Sequence, residues 1–136
     1  MNYYVLNNSN EADIGSQYPQ IQNIGGTMHS DAPDSIYNVP SGRFPDFTPN
    51  LDYLVLHPKA KLTDFISAVP ISNGFIVSEK VKSILSKFNI VEHQFYSTTI
   101  KHINSLHNNY YWFCPIGNIT EIIDYEKTDF YVIGGF

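Results

Sequence analysis

The 136-residue chain has a single cysteine, Cys114, so no disulfide can form within it. Its neighbours in "YYWFCPIG" are apolar, which marks a buried, inert thiol rather than a nucleophile. Charged residues make up only 15% of the chain, and Lys and Arg never cluster. The net charge is −5 and the pI about 5.3. Nucleic-acid binding is driven by neutralising phosphates, so a nucleic-acid partner is not expected. The opening "MNYYVLNNSNEAD" has no basic segment and no apolar run beyond Tyr3 to Leu6, unlike a signal peptide. No run approaches the ~20 apolar residues that a membrane helix needs. The expectation is a cytoplasmic protein with no membrane partner. In that setting the sequons at Asn7 and Asn118 carry no meaning.

What is present is apolar and aromatic: 43% hydrophobic residues, with ten tyrosines and nine phenylalanines. Such a chain is too apolar to stay disordered, and its length suits one domain. We therefore expect a single domain over residues 1–136. The expected fold class is α+β: a mostly antiparallel sheet with one or two short packed helices and a long proline-rich ordered loop.

The best-patterned stretch is "GFIVSEKVKSILSKFNIVEHQFY", from Gly74 to Tyr96. Phe75 to Val77 are β-prone, and Ser78 is a natural N-cap, since its hydroxyl can accept an amide of the first turn. Glu79 suits the positive end of the helix dipole. Val81, Ile84, Leu85 and Phe88 recur at i, i+3, i+4 and i+7, which predicts a helix from Glu79 to Phe88. Asn89 is placed to close it in the left-handed conformation. A second short helix is expected in "KLTDFISAVP", capped by Thr63 or Asp64 and ended by Pro70. Ile119, Ile122 and Ile123 have helical spacing as well.

Strands are expected in "NYYVLN", "DYLVLH", "HQFYSTTIKH", "NNYYWFC" and the terminal "TDFYVIGGF", with a turn at "INSLH". "NNSNEADIGSQYPQIQNIGG" reads as loop. From Asp31 to Tyr53 the chain carries four of its eight prolines, which exclude a helix or a central strand. Tyr37, Phe44, Phe47 and Tyr53 are interleaved with them, unlike a flexible linker. This reads as an extended, ordered loop laid over the body by its aromatics.

Catalytic and metal-binding motifs are missing. His29, His57, His93, His102 and His107 form neither HxH nor HExxH, although His102 and His107 are expected near each other across a turn. Asp46, Asp52, Asp64, Asp124 and Glu126 have no paired spacing, and a helix-capping role explains Asp64 better than catalysis. The "IGG" sequences at Gly25 and Gly134 lack nucleotide-loop spacing. "YYWF", Tyr110 to Phe113, has the residues of a stacking platform, but apolar side chains on both faces more often mean a buried strand. Hence no catalytic residue, cofactor or metal is expected.

The chain resembles a bacterial family on the strength of "YYVL", "YPQI", "DAPDSIY", "FPDFTPNLDYLVLHPKAKLTDF", "SEKVKSIL", "HQFY", "YYW" and "IDYEK". It is similar to the immunity-protein family numbered eleven of polymorphic toxin systems, over nearly its whole length. The resemblance implies an immunity protein that neutralises a cognate bacterial toxin by direct stoichiometric binding, and no enzyme. Members tend to continue past "DYEKTDFYV", so a short or C-terminally truncated form is expected here. Its last strand would then be an open edge able to pair into a homodimer. The alternative readings are a glycan- or peptide-binding module and, behind it, a small hydrolase.

For the toxin interface the proline-aromatic loop is the first choice. Arg43, Phe44, Asp46 and Phe47 combine an arginine, aromatic anchors and a carboxylate, as interface hot spots do. The competing reading is that Phe44 and Phe47 pin the loop to the core.

Overall fold

The computed structural model describes residues 14–15, 18–25, 31–51, 53–71 and 73–116. Six strands and one α-helix follow in order: β1 (Ile21–Gly25), β2 (Tyr53–Leu56), β3 (Phe65–Ile66), β4 (Phe75–Ser78), α1 (Glu79–Leu85), β5 (His93–His102) and β6 (Ser105–Pro115). A 3-10 turn, Ile36–Asn38, lies between β1 and β2. The expected strand "NYYVLN", the isoleucines at 119, 122 and 123, and the terminal "TDFYVIGGF" lie outside the described residues.

The strands form one sheet in the order β1-β2-β5-β6-β4-β3. Neighbours are antiparallel except β2 and β5, which run parallel with Leu54 opposite Ile100. A parallel pair needs a long crossover, and β3, β4 and α1 supply it. The result is α+β and mostly antiparallel.

The two ends of this order meet. Ile21 bridges Ala68 in parallel, just beyond β3. Its amide donates to the Ser67 carbonyl at 2.9 Å, and Val69 N–H returns to the Ile21 carbonyl at 3.0 Å. The sheet thus curls into a nearly closed barrel. Gln20, wholly buried, locks the seam. Its Nε2 donates to the Lys61 carbonyl at 2.8 Å and to Thr63 Oγ1 at 3.1 Å, while its Oε1 accepts from Ser67 N–H at 3.1 Å. A buried amide is tolerated only when its donors and acceptors are matched, and here both ends are.

Side-chain alternation sorts the strands into two apolar clusters. Leu54, Leu56, Ile66, Ile76, Tyr96, Ile100, Tyr110, Trp112 and Cys114 fill the barrel. Val77 and Phe113 point outward and meet Val81 of α1, flanked by Phe65, Phe75, Phe95 and Tyr111. Tyr110 to Phe113 are therefore covered on both faces, as a buried strand requires.

Three expectations need correction. The stretch "QIQNIGG" holds β1 rather than loop only, because the seam and β2 supply partners that its weak pattern does not announce. The second helix, in "KLTDFISAVP", is absent: Phe65 and Ile66 form β3, pairing with Val77 and Ile76. α1 ends at Leu85, not Phe88. Ser86 Oγ donates back to the Lys82 carbonyl at 2.8 Å. Lys87 and Phe88 then bond three residues back, to Ile84 and Leu85. This tighter winding rotates Phe88 off the apolar stripe, leaving it 63% exposed. Asn89 does not adopt the left-handed conformation, which Ile103 alone adopts among the described non-glycine residues.

Candidate functional site

Residues 31–51 leave the barrel between β1 and β2, anchored at their base. Ser35 bridges Asn50, and Asn50 N–H donates to the Asp34 carbonyl at 2.8 Å. Ser35 Oγ caps the 3-10 turn by accepting from Tyr37 N–H, and Asn38 Nδ2 donates to the Ala32 carbonyl at 2.8 Å. Ile36 and Leu51 sink into the barrel cluster from the two sides of this clamp. The prolines between them take away amide donors, so residues 39–49 form an excursion that adds no strand to the sheet, with Val39 packed against the barrel cluster and Pro49 buried. Gly42, at φ 73°, turns the chain where nothing stands within 4 Å of a Cβ.

The excursion gathers the four residues singled out from sequence. Arg43, Phe44, Asp46 and Phe47 line one hollow of about 150 Å³, together with Asn38 and two prolines. Arg43 and Asp46 are exposed, and Phe44 and Phe47 half-buried. Neither phenylalanine belongs to the two clusters of packed core residues among the described residues. Neither Arg43, the chain's only arginine, nor Asp46 is ion-paired to a described residue. The arrangement offers a planar cation, a carboxylate and two aromatic edges on one small surface. That is chemistry for recognition and contains no acid–base pair or nucleophile.

The remaining candidates sit in structural roles. Cys114 is 1% exposed, and burial pushes its thiol up, away from the reactive thiolate. Asp64 caps no helix of its own; its carboxylate braces the side chains at the start of α1, where Ser78 is the cap. Its Oδ1 accepts from Ser78 Oγ at 2.7 Å and its Oδ2 from Lys80 Nζ at 2.8 Å. Those bonds, Lys80 first, hold its carboxyl below the usual range. His57 Nδ1 accepts from Lys59 N–H, and His93 packs on Phe95 and Phe113. His107 faces Ile100 and His102 faces Ser105, so the two rings do not pair directly across the hairpin. Among the described residues no three His, Cys, Asp or Glu side chains converge in a metal-holding group. No described helix is long and apolar enough to cross a membrane. A larger hollow, about 330 Å³ beside Tyr18, Ile66, Val69 and Phe75, is lined by no carboxylate, histidine, lysine or cysteine.

A comparison with protein families matches residues 3–135 to the Immunity protein family (Imm11). The chain belongs to this family. Neither the curated proteins nor the solved structures contain a match to it. Membership makes the chain an immunity protein and implies a toxin partner, which directs attention to exposed surface rather than to the filled barrel. The sequence reading passed over one such surface. Ile103 and Leu106, at the β5–β6 turn, are 61% and 62% exposed. "INSLH" announced a turn there, and nothing in it announced an apolar tip.

Proposed function

We propose that the chain neutralises its cognate toxin by stoichiometric binding, with no turnover, and that residues 31–51 act as an ordered recognition loop in the interface. The observation that carries this reading is the Imm11 match across nearly the whole chain. The loop supports it: Arg43, Phe44, Asp46 and Phe47 share one hollow on a clamped base. Loops held by a rigid scaffold commonly carry recognition. A standard interface covers about 800 Å² of each partner, which one side of a domain this size can supply. Occluding the toxin's working surface would be sufficient for protection, and the encounter would take place in the cytoplasm.

The test is co-expression with the cognate toxin. Wild type is compared with Arg43→Ala and Asp46→Ala after folding is confirmed. Protection that tracks a one-to-one complex, and weakens in both variants, supports the reading. Protection at strongly sub-stoichiometric levels would mean turnover and end it. Self-association through residues 128–136 is a separate proposal. It expects a dimer by light scattering that Val132→Pro converts to monomer, and a wild-type monomer at high concentration removes it.

A further inference from the structure

Among the described residues the β5–β6 hairpin is the longest paired element, ten residues against eleven. Its supports stop short of its end. β4 pairs with β6 only from Tyr110 to Phe113, and β2 pairs with β5 only at Ile100 and Lys101. Among the described residues no strand flanks Ser105 to Asn109 on the open side of β6. The tip closes with two residues, Ile103 and Asn104, between His102 and Ser105. Ile103 holds φ 54°. That conformation belongs to Gly, Asn or Asp in tight hairpins and is disfavoured for a β-branched side chain.

The fold draws nothing visible from this strain. Ile103 is 61% exposed, so its side chain adds little to either core cluster, and Leu106 beside it is 62% exposed. Backbone strain of this kind is a starting point for a functional hypothesis. Charge says what kind of surface would cover the tip. The chain as a whole carries −5, yet His93 to Ile116 contain no Asp or Glu. Lys101 stands directly opposite Leu106, its Nζ 5.3 Å from the centre of the Tyr53 ring. The tip is an apolar knob with a lysine beside it and no carboxylate in the hairpin, on an acidic protein.

We propose that this tip is a toxin-binding plug: Ile103 and Leu106 enter an apolar pocket whose rim carries carboxylates, and Lys101 pairs with that rim. The inference rests on the immunity reading and names a surface of its own, independent of the loop at Arg43. Complementary charge sets the approach and the buried apolar pair sets the lifetime of the complex.

The test measures binding by titration calorimetry to the purified cognate toxin in an inactivated form. It uses wild type, Ile103→Gly, Leu106→Ser and Lys101→Glu, each with a thermal melt. Ile103→Gly relieves the strained φ, so its melting temperature should stay level or rise. Its affinity should nonetheless fall at least about thirtyfold, the loss of a hot spot. Leu106→Ser should weaken binding in the same direction without a loss of fold. Lys101→Glu should slow association and flatten its salt dependence. Ile103→Gly and Leu106→Ser binding within about threefold of wild type would overturn the plug and leave the immunity reading intact. A marked drop in the melting temperature of Ile103→Gly would also overturn it, by showing Ile103 to be structural. So would a wild-type dimer that the tip variants dissolve, since the occupant would then be a second copy. Absence of any wild-type complex would remove the immunity reading itself.

Discussion

Replacing Gln20 by leucine should open the barrel at its seam. The two side chains are close in size, so the change tests polarity rather than volume. Gln20 is 0% exposed and Ser67 3%. With leucine in place, the Ser67 amide loses its side-chain acceptor in a setting that water does not reach, which costs about 1–3 kcal/mol. The Lys61 carbonyl and the Thr63 hydroxyl lose a donor as well. Both residues keep some exposure, so about 0.5–1.5 kcal/mol each is the scale of those losses. The added apolar burial of leucine offsets part of this, about 1 kcal/mol. A net destabilisation of about 3 kcal/mol follows. At roughly 3.5 °C per kcal/mol for a chain of this length, the melting temperature should fall by about 10 °C.

Urea titration measures the first quantity and a thermal scan the second. The control is Gln22→Leu, two residues along β1 and exposed, where about 0.5 kcal/mol at most is expected. Hydrogen exchange adds a local reading. The amides of Ile21 and Val69 bond across the seam, so they should lose protection before those of the β5–β6 hairpin. A Gln20→Leu loss no larger than that of Gln22→Leu would refute the claim that this amide network closes the barrel.

Val81→Ala should cost about 2 kcal/mol, because Val81 is the α1 residue buried on Val77 and Phe113, whereas Phe88→Ala should cost well under half as much; chemical denaturation of both variants decides. Asp64 has its folded pKa lowered by Lys80 and Ser78. Its stabilising contribution is therefore complete above the unfolded value of about 4 and lost as pH falls through the lower folded value, so Asp64→Asn should flatten the acid limb of a stability–pH curve without reversing it. Cys114 should resist a thiol reagent at pH 8 in the folded protein and react at once in denaturant; fast reaction under native conditions would contradict its burial.

How much of the fold the sequence discloses depends on whether the deciding partner is near or far. The start of α1 is legible because Ser78, Glu79 and Val81 act within one turn: the hydroxyl accepts from the Val81 amide as the pattern requires. Its end is not, because a Ser86 hydroxyl turned onto Lys82 competes with continued helix, and no periodicity registers that. Asp64 does not cap the helix expected in its own stretch, because that helix is absent; its carboxylate instead holds the side chains of Ser78 and Lys80, 14 and 16 residues later, across a strand pair. β3 is two residues long, too short for any period, and exists because Val77 and Ile76 lie opposite. The seam is the least legible feature. Gln20 in "SQYPQIQN" looks like a solvated loop residue, and only the four groups that converge on it from residues 61, 63 and 67 make it a core residue.

The same distinction governs the site. Arg43, Phe44, Asp46 and Phe47 are adjacent in sequence, so their meeting around one hollow follows from a short stretch of chain. Ile103 was hidden for the opposite reason: its conformation contradicts its own propensity, and the turn-favouring Asn104 beside it draws the eye. The strands themselves are largely used for cohesion. The inner face of β6 is filled by Tyr110, Trp112 and Cys114. The outer face is taken by Tyr111 and Phe113 under α1 and Phe95. Lys82 closes it further, its ammonium 3.7 Å from the centre of the Tyr111 ring. Both faces of β6 are thus used for cohesion. The barrel is the rigid scaffold, and the 43–47 loop and the Ile103 tip are two of the places where a partner can gain apolar contact without dismantling it.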